Sequence, residues 1–288
     1  MAGSRRSPAR YFLMAFFIAF VIFLYGPMFA IITLSFQGPD GGLTFPMQGF
    51  SLHWFVELFK EQRVGDFKAS FSRSLLLATI VMILTVIISL MAGLAFRKNF
   101  RGSAVVFYLT VASLIVPSIL LTLGIGLLFD QLGLESHWWS SGLGAHLSWT
   151  LPFGLLIMFA IFNRFDKAYE EAARDMGASA WQVVRYVIVP IIAPSLIGVG
   201  LFGFTLSFDE FARSLLVMGV RNSLPLEIFG MTTTVTTPTL YALGTLTTLV
   251  SFLMIGASLL IIRQFSAQRA RRQQLSEQSL ATDTPDQP

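Results

Sequence analysis

The chain reads as an all-α membrane protein with six transmembrane helices, and three observations predict it. It is 54% hydrophobic and only 12% charged over 288 residues, far too apolar for an ordinary soluble domain. Six apolar stretches are each long enough to approach or exceed the thickness of a bilayer's hydrocarbon core. Lys and Arg gather at the ends of those stretches, as topology signals do. A mean hydropathy of +0.69 agrees.

The first span, 11–36, follows a short basic segment, 1–10, that holds Arg5, Arg6 and Arg10. It is longer than a signal peptide's apolar region and lacks a small-residue cleavage site, so it reads as an uncleaved anchor. The loop 37–70 opens with turn chemistry, Gly38-Pro39-Asp40-Gly41-Gly42. Within 51–60, Leu52, Phe55, Val56 and Phe59 recur at helical spacing. That predicts a short amphipathic helix on the membrane surface, with Trp54 at the headgroup level. The charges of Glu57, Lys60, Glu61 and Asp66 form its solvated face.

The second span, 71–96, ends at Arg97, Lys98 and Arg101. The third, 104–129, contains Pro117, which is expected to kink it and free a carbonyl. A connection, 130–145, rich in Gly, Ser and Trp, leads to the fourth span, 146–162. The fifth, 191–211, carries Pro194, Gly198, Gly200 and Gly203, small residues that favour close helix packing. The stretch 214–239 is semi-polar, with Pro225 and Pro238, and reads as partly re-entrant. The sixth span is 240–262. The tail, 264–288, is charged and Gln-rich and is expected to be partly disordered, fraying by 282–288.

Charge sets the expected orientation. Fourteen Lys and Arg residues fall on the side of both termini and of 164–190, against six on the other: Lys60, Arg63, Lys68, Arg73, Arg213 and Arg221. Both termini are therefore expected in the cytoplasm (N-in/C-in), around a transmembrane region of 11–263.

Other classes drop out. A pI near 9.6 raises nucleic acid, but no stripe of cations interleaves with aromatics. There is no cysteine, which removes disulfides and thiolate chemistry. Neither GxxxxGK[ST] nor a strand-linked GxGxxG occurs, so the chain is not expected to bind ATP or a dinucleotide itself. His53, His137 and His146 lack ligand spacing and read as interfacial or loop residues, with no metal expected. Trp138 and Trp139 read as an aromatic belt. No catalytic residue and no cofactor are expected.

Two polar stretches remain. In the first, Asp166 can cap a helix through Met176, and Gly177 suits its left-handed end. Ser179 with Gln182 then makes a capping box for a second helix, expected to stop at Pro190. Small Ala172 and Ala173 leave a face where another protein can approach closely. The second stretch is Phe208-Asp209-Glu210-Phe211, whose adjacent carboxylates near a span's end need water, a cation or a partner.

Glu171-Ala172-Ala173, then Gly177 and later Val187-x-Val189-Pro190, resembles the cytoplasmic EAA loop of binding-protein-dependent ABC importer permeases. That pattern ends in Ile-x-Leu-Pro, so Val187 and Val189 are conservative departures. Ser207-Phe208-Asp209-Glu210-Phe211 with Leu224-Pro225-Leu226, and Phe45-Pro46-x-x-Gly49 with Trp54-Phe55, are similar to the spermidine/putrescine branch.

The resemblance implies a type I importer permease in a bacterial inner membrane. Glu170, Glu171, Ala172, Ala173, Met176 and Gly177 would couple it to an ATPase homodimer that binds the ATP. Its other partners would be a second permease chain of different sequence and an extracytoplasmic solute-binding protein, besides membrane lipid. Asp209 and Glu210, with the rings of Phe208, Phe211 or Tyr241, suit a chain of ammonium groups by ion pairing and cation–π contact. An aminophosphonate or opine-like cargo is the alternative within the family. A self-sufficient secondary transporter or channel is the alternative outside it, although internal repeats and an intramembrane ion relay are missing.

Overall fold

The computed structural model describes residues 8–60, 66–98, 100–234 and 237–282. Their regular secondary structure is all helix, with one isolated antiparallel bridge between Gln37 and Phe50. In chain order the helices are α1 (Pro8–Leu34), α2 (His53–Leu58), α3 (Phe67–Phe96), α4 (Ser103–Ala112) and α5 (Ser118–Gln131). Then come α6 (Leu143–Asn163), α7 (Ala168–Asp175), α8 (Ala180–Gln182), α9 (Val189–Phe208), α10 (Leu224–Thr234) and α11 (Thr239–Thr282). A π-helical turn, Trp138–Gly142, precedes α6, and another, Val183–Ile188, joins α8 to α9.

Among the described residues five helices are long and apolar enough to cross a membrane: Ala9–Leu34, Phe67–Phe96, Trp138–Asn163, Ala180–Phe208 and Thr239–Gln264. The expected third span is not one kinked helix. It breaks into α4 and α5 around 113–117, where Pro117 is extended (φ −56°, ψ 130°) and stands as the cap of α5. Proline lacks the N–H that would continue the ladder, and here no continuous helix compensates for it. The second helix of the polar loop likewise does not stop at Pro190. The π-helical turn carries it into α9, so Pro190 stands inside a continuous helix, just after the irregular turn. The fourth span starts earlier than expected, since its helix takes in 138–145. The tail continues α11 to Thr282 as helix, as its Gln, Arg, Ala and Leu content allows; 283–288, Glu61 and Arg63 lie outside the described residues.

The chain forms two compact units, one of Met1–Phe67 with Ile228–Val250, the other of Lys68–Glu227 with Ser251 onward. In the first, buried Gln37 organises the loop after α1: its Oε1 accepts from Gln48 N–H at 2.7 Å and its Nε2 donates to the Gly42 carbonyl at 3.1 Å. Phe36 stacks on Phe50 at 5.1 Å. On α2, Leu58 turns inward while Leu52, Val56 and Phe59 stay exposed, an apolar stripe facing outward.

In the second unit, α3, α6 and α9 share a core of Met158, Phe162, Val183, Ile188, Ile192, Leu196 and Val199, flanked by Leu90 and Leu94. Gly154 permits the closest approach, because a Cβ there would stand 2.2 Å from Ser89 Oγ. Gly200 and Gly203 lie against Met82 and Thr85 of α3, as close packing requires, whereas Gly198 faces open space. Trp138 packs beside Leu77, Val81 and Met218 rather than in an outer belt, and only Trp139 is exposed.

Candidate functional site

Two sites flank α6. Beyond its C-terminal end, Asp166 Oδ1 accepts from Ala168 N–H at 2.9 Å and starts α7. The helix closes with Gly177 at φ +88°, where Gly177 N–H donates to Arg174 O at 2.8 Å and Ala178 N–H to Ala173 O at 3.0 Å. This is a Schellman ending, and its left-handed residue favours glycine. The Ser179–Gln182 capping box follows, with Ser179 N–H donating to Gln182 Oε1 at 2.7 Å.

These caps orient α7 so that its residues divide by direction. Ala173 is half-buried and packs onto the α3–α6–α9 core. Glu170 is turned in and ion-paired with Arg97, with Arg174 4.0 Å from its other oxygen. A cavity of about 650 Å³, lined in part by Leu94, Lys98, Lys167 and Val184, opens beside the pair. Glu171 and Ala172 face out, and Met176 is 89% exposed. Tyr169, Trp181 and Tyr186 are exposed near them. The result is an apolar and acidic surface on a rigid base, suited to docking another protein.

At the other end of α6 lies a buried polar cluster that sequence reasoning missed. His146, expected at an interface or in a loop, is enclosed between Ser207 and Ser214, with Nδ1 2.8 Å from Ser207 Oγ and Nε2 3.1 Å from Ser214 Oγ. Ser214 Oγ–H donates to the Glu210 carbonyl at 2.8 Å. Ser214 therefore accepts from Nε2–H, while Ser207 donates to Nδ1. Arg213, counted above only as a topology charge, is fully buried. Its Nη1 donates to Ser148 Oγ at 2.6 Å and its guanidinium lies 4.7 Å over the Trp149 ring. Its backbone N–H donates to Glu210 Oε1 at 2.9 Å, and among the described residues its Nε and Nη2 have no hydrogen-bond partner. The signal available in the sequence was a lone arginine in an apolar stretch, three residues past an acid.

The predicted carboxylates sit on this cluster, Asp209 exposed and Glu210 half-buried. One expected neighbour is turned away from them. Phe208 is buried in an aromatic stack, 5.6 Å from Phe204 and 6.2 Å from Phe71, because α9 needs that face for packing. Tyr241 belongs to the first unit, and its hydroxyl donates to the Leu43 carbonyl at 2.8 Å. Phe211 is half-buried beside Glu210.

Comparison with known proteins agrees with this architecture. Residues 85–272 match the family described as binding-protein-dependent transport system inner membrane component. The chain is 31% identical over 258 residues to the spermidine/putrescine transport system permease protein PotC of Haemophilus influenzae, covering 89% of this chain and 98% of that one. It is 28% identical to the putrescine transport system permease protein PotI of Escherichia coli, over 78% and 81% of the two chains. Among solved structures, a bacterial ABC transporter involved in import of the acidic polysaccharide alginate superimposes with a TM-score of 0.70 over 89% of this chain and 95% of that one. At 15% identity this likeness speaks for the fold alone. Helices of membrane-spanning length, the capped EAA loop and the family match together show that the chain belongs to the inner-membrane components of binding-protein-dependent transport systems, the permeases of ABC importers.

Proposed function

We propose that this permease forms the path for polyamines, putrescine or spermidine, or for related small organic amines, driven by a separate ATPase that docks on α7. The carrying observation is the outward face of α7 and its flank, where Glu171, Ala172 and Met176 stand exposed on a base fixed by Ala173, Gly177 and the capping box. ATP is bound by a pair of ATPase subunits. A second permease chain and an extracytoplasmic solute-binding protein complete the importer.

In this reading α4 and α5 cross the membrane together as a discontinuous sixth span. At 1.5 Å per residue they reach roughly 15 Å and 21 Å, enough to cover a hydrocarbon core of about 30 Å. The Lys and Arg asymmetry supports an orientation with both termini and α7 in the cytoplasm. Asp209 and Glu210 receive the ammonium groups, with Phe211 alongside, and hold them loosely enough for release.

Uptake into vesicles with all partners present tests the coupling role. Glu171→Lys is expected to abolish ATP-dependent uptake while the protein still inserts; undiminished uptake refutes it. For the cargo, Asp209→Asn and Glu210→Gln should each weaken polyamine-stimulated ATP hydrolysis.

A further inference from the structure

Arg97 joins parts of the bundle that the EAA motif does not. It directly follows α3, and its guanidinium meets Glu170 on α7 while lying over the rings of Phe162 at 5.0 Å and Phe165 at 5.5 Å. Both charged side chains are largely withdrawn from solvent, 17% and 12% exposed. Below them α3 and α6 are in tight contact: a Cβ on Gly93 would stand 2.8 Å from the Phe162 ring and 3.0 Å from Met158 Cβ. The end of α3, the end of α6 and α7 therefore meet at one side chain.

Few residues can serve such a junction. A guanidinium is planar, so it can stack on aromatic faces and still present its edge to a carboxylate, which an ammonium cannot do. Partial burial also protects the pair from salt screening. Neighbouring acids divide the work, since Glu170 faces inward to Arg97 while Glu171 faces outward.

We propose that Arg97 is a positioning residue for energy coupling: a latch that makes α7 move with α3 and α6 instead of pivoting on its loop. The proposal rests on the reading of α7 as the ATPase-docking helix. The test uses the full complex of both permeases, ATPase and binding protein in proteoliposomes, with Met176→Cys cross-linking to the ATPase as a control. Arg97→Ala is expected to keep the cross-link and to hydrolyse ATP within about twofold of the unaltered complex. Uptake should fall about tenfold, so that more ATP is spent per cargo molecule, within the range by which single residues modulate coupling. Arg97→Lys keeps the charge without the stacking and should give an intermediate ratio, which carries the test if the alanine variant fails to assemble. Uptake and hydrolysis falling by the same factor, or a ratio unchanged in either variant, overturns the latch. Absence of the cross-link in the complex with native Arg97 would instead overturn the docking reading.

Discussion

The two ends of α6 are built by different rules. At the α7 end the chain is shaped by contacts with its own near neighbours: Asp166 on Ala168, Ala178 on Ala173, Ser179 on Gln182. At the His146 end, the contacts that matter join residues 61, 65 and 68 positions apart. One is a locally capped platform whose outward residues, Glu171, Ala172 and Met176, stand exposed. The other is a buried polar assembly whose members have meaning only once three segments have packed. Local capping is worth about 1 kcal/mol per device, whereas a polar group enclosed in the protein is costly to disturb.

The sharpest way to break this comparison is Arg213→Glu. It places an acid beside Glu210 at a site with no solvent access, and a loss of roughly 3–5 kcal/mol is expected. The midpoint of thermal inactivation of the purified complex reads it directly. His146→Ala comes next. It deprives Ser207 and Ser214 of the ring between them and should cost about 1–3 kcal/mol by the same assay.

Gly177→Ala should cost about 1–2 kcal/mol, because only backbone conformation at φ +88° resists it and nothing crowds the new Cβ. Its uptake defect is expected to exceed its stability defect, since the turn sets the heading of α7. Smallest is Ser179→Ala, about 1 kcal/mol from the lost cap. If thermal inactivation shows Ser179→Ala to be as damaging as His146→Ala, the distinction between the two ends fails.

The same distinction decides what could be read in the chain beforehand. Spans announce themselves by apolar length, and the α7 loop by residues three to five apart, so Gly177 and the Ser179–Gln182 box stand where spacing predicts them. Pro117 and Pro190 depart from expectation in opposite directions, the one a break where a kink is expected and the other a passage where a stop is expected. A proline forbids one hydrogen bond, but its surroundings decide whether the helix resumes. Arg213 was unreadable for another reason. An arginine in an apolar stretch looks the same whether it reaches for water or lies over Trp149, and only tertiary packing separates the two.

The wider turn at Val183–Ile188 carries a consequence for register. A π-helical turn takes up roughly one residue more than an α-helical one, and a residue is worth about 100° of rotation. Removing a single residue there, Val184 for example, would leave length and hydropathy almost untouched. The turn would close up to an ordinary α-helical one, and Ile192, Leu196 and Val199 would keep the partners they now meet. A residue lost from α9 itself, where no wider turn absorbs the change, would instead rotate the rest of that helix by about 100° and present the wrong face.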